Sequence, residues 1–169
     1  MECDDWRFIV DQFLKRPLTP GEEALPEEMK LLVGKIAVIE NQKEALEYAY
    51  EVLAKKYRGY RLLIFLRLDR FFITDIGTLW KKNGFLHCNH MNYLLRMLLV
   101  ASGQFAAEDI EAHWTQIWFF SPHQYLIIHL HGGEAIEVDL WGKVYGIPFE
   151  THAHGLQGGT TFASQLSKG

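Results

Sequence analysis

Residues 87–100 read His-Cys-Asn-His-Met-Asn-Tyr-Leu-Leu-Arg-Met-Leu-Leu-Val, and this stretch predicts a helix that begins at Cys88 and closes at Gly103. A cysteine at a helix N-terminus meets unpaired backbone amides and the positive end of the helix dipole, which favour the thiolate. Apolar side chains recur three and four residues apart, as on a helix face that packs against a core. The expected core residues of this helix are Met91, Leu94, Leu95, Leu98 and Leu99.

Three strand-like runs follow this helix, and turn-forming residues separate them. They cover residues 109–120, 123–130 and 134–141, and Ser121-Pro122 is expected to end the first, which is rich in aromatic residues. Because helices come first and antiparallel strands second, the predicted fold class is α+β. The Cys88 helix is expected to pack on the antiparallel sheet.

The turn between the last two runs decides which side chains share a face of the sheet. A three-residue loop at 131–133 (His-Gly-Gly) would pair Leu130 with Glu134 and bring Tyr125 opposite Asp139. His123 and Asp139 would then be diagonal neighbours, close enough for a hydrogen bond between imidazole and carboxylate. A two-residue Gly-Gly turn would put them on opposite faces, and the sequence leaves both turns open.

The first half of the chain is predicted to be mainly helical. Apolar spacing favours a helix over residues 4–15, which a loop follows, and Asn41 is expected to cap a long helix that ends near Lys56. The run 27–39 suits either a short helix or a strand. Residues 60–66 are largely apolar and are expected to be extended.

Composition narrows the class of protein. The chain has 169 residues, 49% of them hydrophobic, and a formal net charge of −4, which fits a folded domain that does not bind nucleic acid. The two cysteines, Cys3 and Cys88, form neither a disulfide framework nor a C-x-x-C motif. The N-terminus is acidic where a secretory signal would be basic, and no apolar run is long enough to span a membrane. We therefore expect a cytoplasmic protein without a membrane partner.

The segment from Gly84 to Cys88 (Gly-Phe-Leu-His-Cys) and the leucine-rich helix after it resemble the nucleophile segment of the transglutaminase-like superfamily of papain-fold cysteine enzymes. In that superfamily a strand that begins with the catalytic histidine precedes one that carries an aspartate in a Val-Asp step. Val138-Asp139 is similar to that step, and the run from His123 also resembles the histidine strand of arylamine N-acetyltransferases. The resemblance covers roughly residues 41–142. It departs from the family at Leu86-His87, where the family has a small Gly-x-Cys approach, and at Tyr125, where the family has tryptophan.

The resemblance implies a catalytic triad. Cys88 would be the nucleophile, His123 the general base and then acid, and Asp139 the group that fixes the imidazole tautomer. The implied activity is thiol-dependent hydrolysis or acyl transfer on a peptide, a protein or a small amide or acyl substrate, without a cofactor. At a strand end and a cleft mouth, Asp139 is expected to contribute little to stability. The oxyanion hole would use the Cys88 amide and one further donor, which the sequence leaves open among Trp80, Asn83, His87 and Asn89.

The resemblance also divides the chain. The predicted organisation is an N-terminal helical segment and loop at residues 1–40, the catalytic core at 41–150 and a loosely ordered tail at 151–169.

Other histidines offer alternatives of different classes. His113, followed by a tryptophan, is a rival for the catalytic base. Two His-x-His pairs and a nearby glutamate loosely resemble the metal motif of cupin barrels and would make a metal-binding protein; these residues are His129, His131, Glu134, His152 and His154. A third possibility is a non-catalytic binding module in which aromatic side chains line a partner groove, namely Trp114, Trp118, Phe119, Phe120 and Trp141.

Overall fold

The chain is described here from a computed structural model, which defines residues 25–60, 63, 66–67, 69–70, 73–117 and 121–155. The predictions for Cys3, for the helix at 4–15, for Trp118, Phe119 and Phe120 and for the tail beyond residue 155 lie outside the described residues. Helices and an antiparallel sheet are both present, so the α+β prediction is confirmed.

Two helices precede the site. The ambiguous run 27–39 forms helix α1, Glu27–Ala37, because Met29, Leu32 and Ile36 recur at helical spacing and are buried. Helix α2, Gln42–Lys56, begins where predicted, since the Asn41 side chain accepts hydrogen bonds from the amides of residues 43 and 44. The extended conformation expected for residues 60–66 is wrong for Leu63 and Leu66, both of which are helical.

A short parallel ribbon precedes the helix that begins at Cys88. Strands β1, Tyr57–Arg58, and β2, Gly84–Phe85, pair with each other, and helix α3, Ile76–Lys81, lies between them in sequence. Helix α4 then spans Cys88–Ala101, as the sequence predicts. All five of its predicted core side chains are fully buried.

The sheet has the order β3-β4-β5, with strands at Ile110–Ile117, Ser121–His129 and Ala135–Val138. The prediction that Ser121-Pro122 ends a strand is wrong, because these two residues open β4. Proline is tolerated there because β5 pairs only with Leu126–His129, so among the described residues no strand pairs with the start of β4 on that side. Strand β5 is also shorter than predicted, and Asp139 directly follows it.

The hairpin between β4 and β5 has the three-residue loop. The Leu130 amide donates to the Glu134 carbonyl oxygen at 2.8 Å, and Ile127 pairs with Glu137. Gly133 has a φ of 84°, the left-handed conformation that closes such loops and that favours glycine. Of the two turns that the sequence leaves open, the structure has the one that puts His123 and Asp139 on the same face.

Helix α4 is the centre of the core. Helices α1 and α2 contact it, and so does β4. Met29, Leu32 and Ile36 of α1 belong to the same buried cluster as α4, although they precede the predicted boundary at residue 40, and so does Ala153, which follows the predicted boundary at residue 150. In the described part of the chain, no helix combines the length and the apolar character that a membrane crossing requires.

Candidate active site

Cys88 is the first residue of α4 and follows strand β2 by three residues. The preceding residue, His87, is extended and stands at the N-cap position. The Cys88 Sγ accepts a hydrogen bond from the backbone amide of Gln124 at 3.4 Å, so the thiol faces strand β4. Cys88 is a free cysteine and is half-buried. The thiol thus combines a helix N-terminus, partial access to solvent and a direct contact with the strand that carries His123.

His123 and Asp139 form a buried pair beside this thiol. The imidazole Nε2 lies 2.8 Å from the carboxylate Oδ2, and the two residues are 1% and 2% exposed. The expected hydrogen bond is present, but the expectation that Asp139 lies at an open cleft mouth is wrong. The chain turns sharply after β5 and encloses the carboxylate.

Two backbone amides complete the environment of Asp139. The Gly142 amide donates to Oδ1 at 2.7 Å, and the Ala153 amide donates to Oδ2 at 3.0 Å. The carboxylate therefore accepts three hydrogen bonds, one of them from His123. A buried carboxylate with this many donors is held in its charged form and in one orientation.

The pair holds opposite charges. Burial alone would lower the pKa of His123, but the charge of Asp139, the hydrogen bond to it and the interactions with Cys88 outweigh burial and raise that pKa to about 10. Burial alone would raise the pKa of Asp139, but the charge and hydrogen bond of His123 and the two amides lower it. The imidazolium–carboxylate form is favoured because each partner compensates the desolvation of the other.

These shifts predict a pH dependence of stability. A raised imidazole pKa stabilises the fold fully below the ordinary value of about 6.5, and the contribution is lost as pH rises through the raised value. A lowered carboxyl pKa stabilises above about 3.9, and the contribution is lost as pH falls through the lowered value. Urea unfolding of the wild type and of His123→Gln should therefore differ most between about pH 4 and pH 6.5. The difference should shrink toward alkaline pH, and a constant or growing difference would contradict the assigned charges.

Gly142 approaches Asp139 so closely that no side chain fits there. A Cβ at this position would lie 2.5 Å from Asp139 Oδ2 and 2.8 Å from Asp139 Cγ. The carboxylate cannot retreat without losing its hydrogen bonds. We therefore expect Gly142→Ala to destabilise the fold by about 1–3 kcal/mol. Gly34 is the matched control, since a Cβ there meets no atom within 4 Å. In the exposed middle of α1, Gly34→Ala should stabilise by about 0.5–1 kcal/mol, and equal effects at the two glycines in urea melts would refute the clash.

The oxyanion candidates occupy different surroundings. The Trp80 indole donates to Glu28 Oε2 at 2.8 Å, and the His87 Nε2 lies 3.1 Å from the Arg67 carbonyl oxygen, so both are engaged away from the thiol. Burial lowers the pKa of His87 and favours the neutral ring. Asn83 is exposed, and Asn89 is buried in the first turn of α4, next to the thiol in sequence.

The remaining histidines have other partners. His113 and His129 both contact the carboxylate of Glu111, at 2.9 Å and 3.2 Å, so the rival base lies against a glutamate on the sheet surface. Glu134 pairs with Lys43, and His152 pairs with Glu137 at 2.7 Å. The His131 amide donates to the side chain of Gln42. Among the described residues, no three His, Cys, Asp or Glu side chains are arranged to hold a metal ion.

Sequence reasoning missed several residues of the site. Gln124 was recoverable, because it directly follows the predicted base on the strand. The role of Gly142 was harder to predict, although an aspartate three residues before a glycine can accept its amide hydrogen bond in a turn. Nothing in the sequence indicated that the Ala153 amide would bind Asp139. Trp141, whose ring centroid lies 5.3 Å from that of His123, was considered only as part of a partner groove.

A cavity of about 450 Å³ opens beside Glu137 and His152. Neither Cys88 nor His123 lines it. Its walls come from β5, from the turn after Trp141 and from the segment that carries Ala153; they are Glu137, Tyr145, Gly146, Ile147, Pro148, Thr151, His152 and His154.

Comparison with protein-family models, with curated proteins and with solved structures finds no match for this chain. The description of the site therefore depends on the residues of this chain alone. It is a thiol at a helix N-terminus, joined to a buried histidine and aspartate on an antiparallel hairpin of an α+β fold.

Proposed function

We propose that the protein is a thiol-dependent hydrolase or acyltransferase of transglutaminase-like type, with Cys88, His123 and Asp139 as its triad. The observation that carries the proposal is the buried His123–Asp139 pair, 2.8 Å between Nε2 and Oδ2, beside a half-buried thiol at a helix N-terminus. The attraction within a buried ion pair is largely offset by the desolvation of its charges, so such a pair contributes little net stability. A role in the chemistry of the neighbouring thiol accounts for its presence. A free structural cysteine needs no such neighbour.

The contacts of His123 support a different role for each ring nitrogen. Asp139 holds Nε2, so Nδ1 is the nitrogen that exchanges a proton with Cys88. An imidazolium at His123 carries this proton toward Cys88 and can stabilise a thiolate there, a role that the interaction of His123 with Cys88 supports. Asp139 stabilises the imidazolium and fixes its orientation without taking up the proton.

The reaction proceeds in two half-reactions. The Cys88 thiolate attacks the carbonyl carbon of an amide or thioester, and the carbonyl oxygen becomes an oxyanion that the Cys88 amide at the helix N-terminus can stabilise. The C–N or C–S bond then breaks, and His123 gives its Nδ1 proton to the leaving group. In the second half-reaction His123 removes a proton from water or an acceptor nucleophile. That nucleophile displaces Cys88 as thiolate and restores the imidazolium.

Capture of the acyl-enzyme tests this proposal. The wild-type chain is incubated with a panel of acyl thioesters, aryl esters and glutamine-containing peptides, and intact-mass spectrometry follows the gain of one acyl group. We expect an adduct on Cys88 that decays on addition of an acceptor amine or in water. A non-catalytic module would form no adduct with any member of the panel, and its thiol would be alkylated no faster than free cysteine.

A further inference from the structure

Residues 151–155, named here the strap, run across the face of the sheet that carries Tyr125 and Glu137. The strap reaches all three strands: His152 contacts β4 and β5, and the Gly155 amide donates to the Gln116 carbonyl oxygen of β3 at 3.2 Å. Between these contacts the Ala153 amide turns inward to Asp139 Oδ2. Ala153 itself is fully buried. The strap therefore covers the His123–Asp139 pair, although the sequence placed it in a loosely ordered tail.

His152 is the side chain that anchors the strap beside Ala153. Its ring stacks on Tyr125 with centroids 3.8 Å apart and planes within 3° of parallel. Its Nδ1 lies 2.7 Å from Glu137 Oε2. Tyr125 stands two residues after His123 on β4, and Glu137 stands two residues before Asp139. Because side chains alternate along a strand, Tyr125 and Glu137 lie on the same face of the sheet as His123 and Asp139. The His152 ring thus holds the strap against the two residues that flank the His123–Asp139 pair on that face.

We propose that His152 is a positioning residue for the His123–Asp139 pair. By anchoring the strap, it keeps the Ala153 amide on Asp139 Oδ2, the oxygen that also binds His123. The inference rests on the proposed function in one respect, namely that the pair serves the Cys88 thiol.

Loss of the His152 anchor should change the protonation of His123, which the loss of a purely structural contact would not do. Without the Ala153 amide, Oδ2 accepts only the His123 hydrogen bond, and a buried carboxylate with fewer donors is less stable in its charged form. The imidazolium then loses part of its counter-charge, and His123 gives up its proton at a lower pH. The thiolate–imidazolium form of Cys88 and His123 becomes rarer at neutral pH. A fall of one pKa unit in the imidazole lowers the ratio of the thiolate–imidazolium form to the thiol–imidazole form about tenfold.

The test compares two histidine–glutamate pairs on the same sheet. His152→Ala removes the anchor, whereas the control His129→Ala removes a pair with Glu111 that lies away from Cys88 and Asp139. Second-order rates of Cys88 alkylation by iodoacetamide are measured across pH, and the ¹⁵N shifts of the His123 imidazole are titrated by NMR. We expect His152→Ala to slow alkylation at neutral pH, by about tenfold at most for a one-unit fall in the imidazole pKa, and to move the His123 titration to lower pH. His129→Ala should leave both unchanged.

A second variant separates positioning from folding. His152→Phe keeps a ring on Tyr125 but loses the bond to Glu137, so it should fold where His152→Ala fails and show a smaller shift of the same sign. The proposal is overturned if His152→Ala only lowers the urea midpoint and leaves the pH profile and the His123 titration in place. It is also overturned if His129→Ala causes an equal shift. Neither readout uses a substrate, so absence of any acyl adduct would defeat the proposed function without deciding the role of His152.

Discussion

Replacing Cys88 with alanine is expected to lower the rate of acyl transfer by about 10⁶-fold, the scale seen when a triad loses its nucleophile. No other described side chain could take over, because His123 and Asp139 are buried and Cys88 is the free cysteine that faces them. Stability should change little. The Sγ atom accepts a long hydrogen bond from the Gln124 amide, whose loss is worth about 1 kcal/mol or less, and His123 keeps Asp139 as its buried partner.

Cys3→Ala is the matched control for Cys88→Ala, since these are the two cysteines of the chain. The measurement is intact-mass analysis after iodoacetamide and after an acyl donor that labels the wild type. Label should disappear in Cys88→Ala and persist in Cys3→Ala. Labelling that survives Cys88→Ala unchanged would remove Cys88 from the mechanism.

Replacing Asp139 with asparagine is expected to lower the free energy of unfolding by about 3–5 kcal/mol, as when one partner of a buried ion pair is removed. The amide fits neither way round. With its NH₂ group at the Oδ2 position, it faces the Ala153 amide and forces His123 Nε2 to accept, which places the ring proton on Nδ1. With its NH₂ group at the Oδ1 position, it faces the Gly142 amide, again donor against donor.

The same substitution should also impair the chemistry. In the first orientation a neutral His123 carries its proton toward Cys88 and cannot accept one from the thiol, so acyl transfer should fall by about 10⁴-fold. Urea unfolding and the rate of acyl-enzyme formation measure the two effects.

Glu111→Gln is the matched control for Asp139→Asn. It changes an exposed carboxylate that also contacts histidines, so the free energy of unfolding should change by about 0.5 kcal/mol or less. His113→Ala should likewise leave the rate intact, whereas His123→Ala should not. Asp139→Asn with wild-type stability, or loss of activity in His113→Ala alone, would mean that the pair is wrongly assigned.

Local patterns were enough to predict the elements around the site. The spacing of apolar residues placed helix α4 and its buried face, because a helix face repeats within a few residues. Alternation along two adjacent strands limited the hairpin register to two choices, one for each turn length, and the structure has the register of the three-residue turn. The run 27–39 could not be decided in this way. Its short apolar run suits a strand as well as a helix, and packing of Met29, Leu32 and Ile36 on α4 decides for the helix.

By itself, the sequence determined the order of the thiol, imidazole and carboxylate, and it limited the hairpin to two turns, one of which puts His123 and Asp139 on the same face. Only the tertiary structure decided that the pair is buried and that its carboxylate accepts amides from Gly142 and Ala153. It also decided that a five-residue strap, anchored by His152, covers the pair. The reason is physical. Periodicity encodes contacts between near neighbours, whereas the burial of a charge depends on how loops return to the sheet, and a backbone amide can be supplied by almost any residue that the chain happens to bring there.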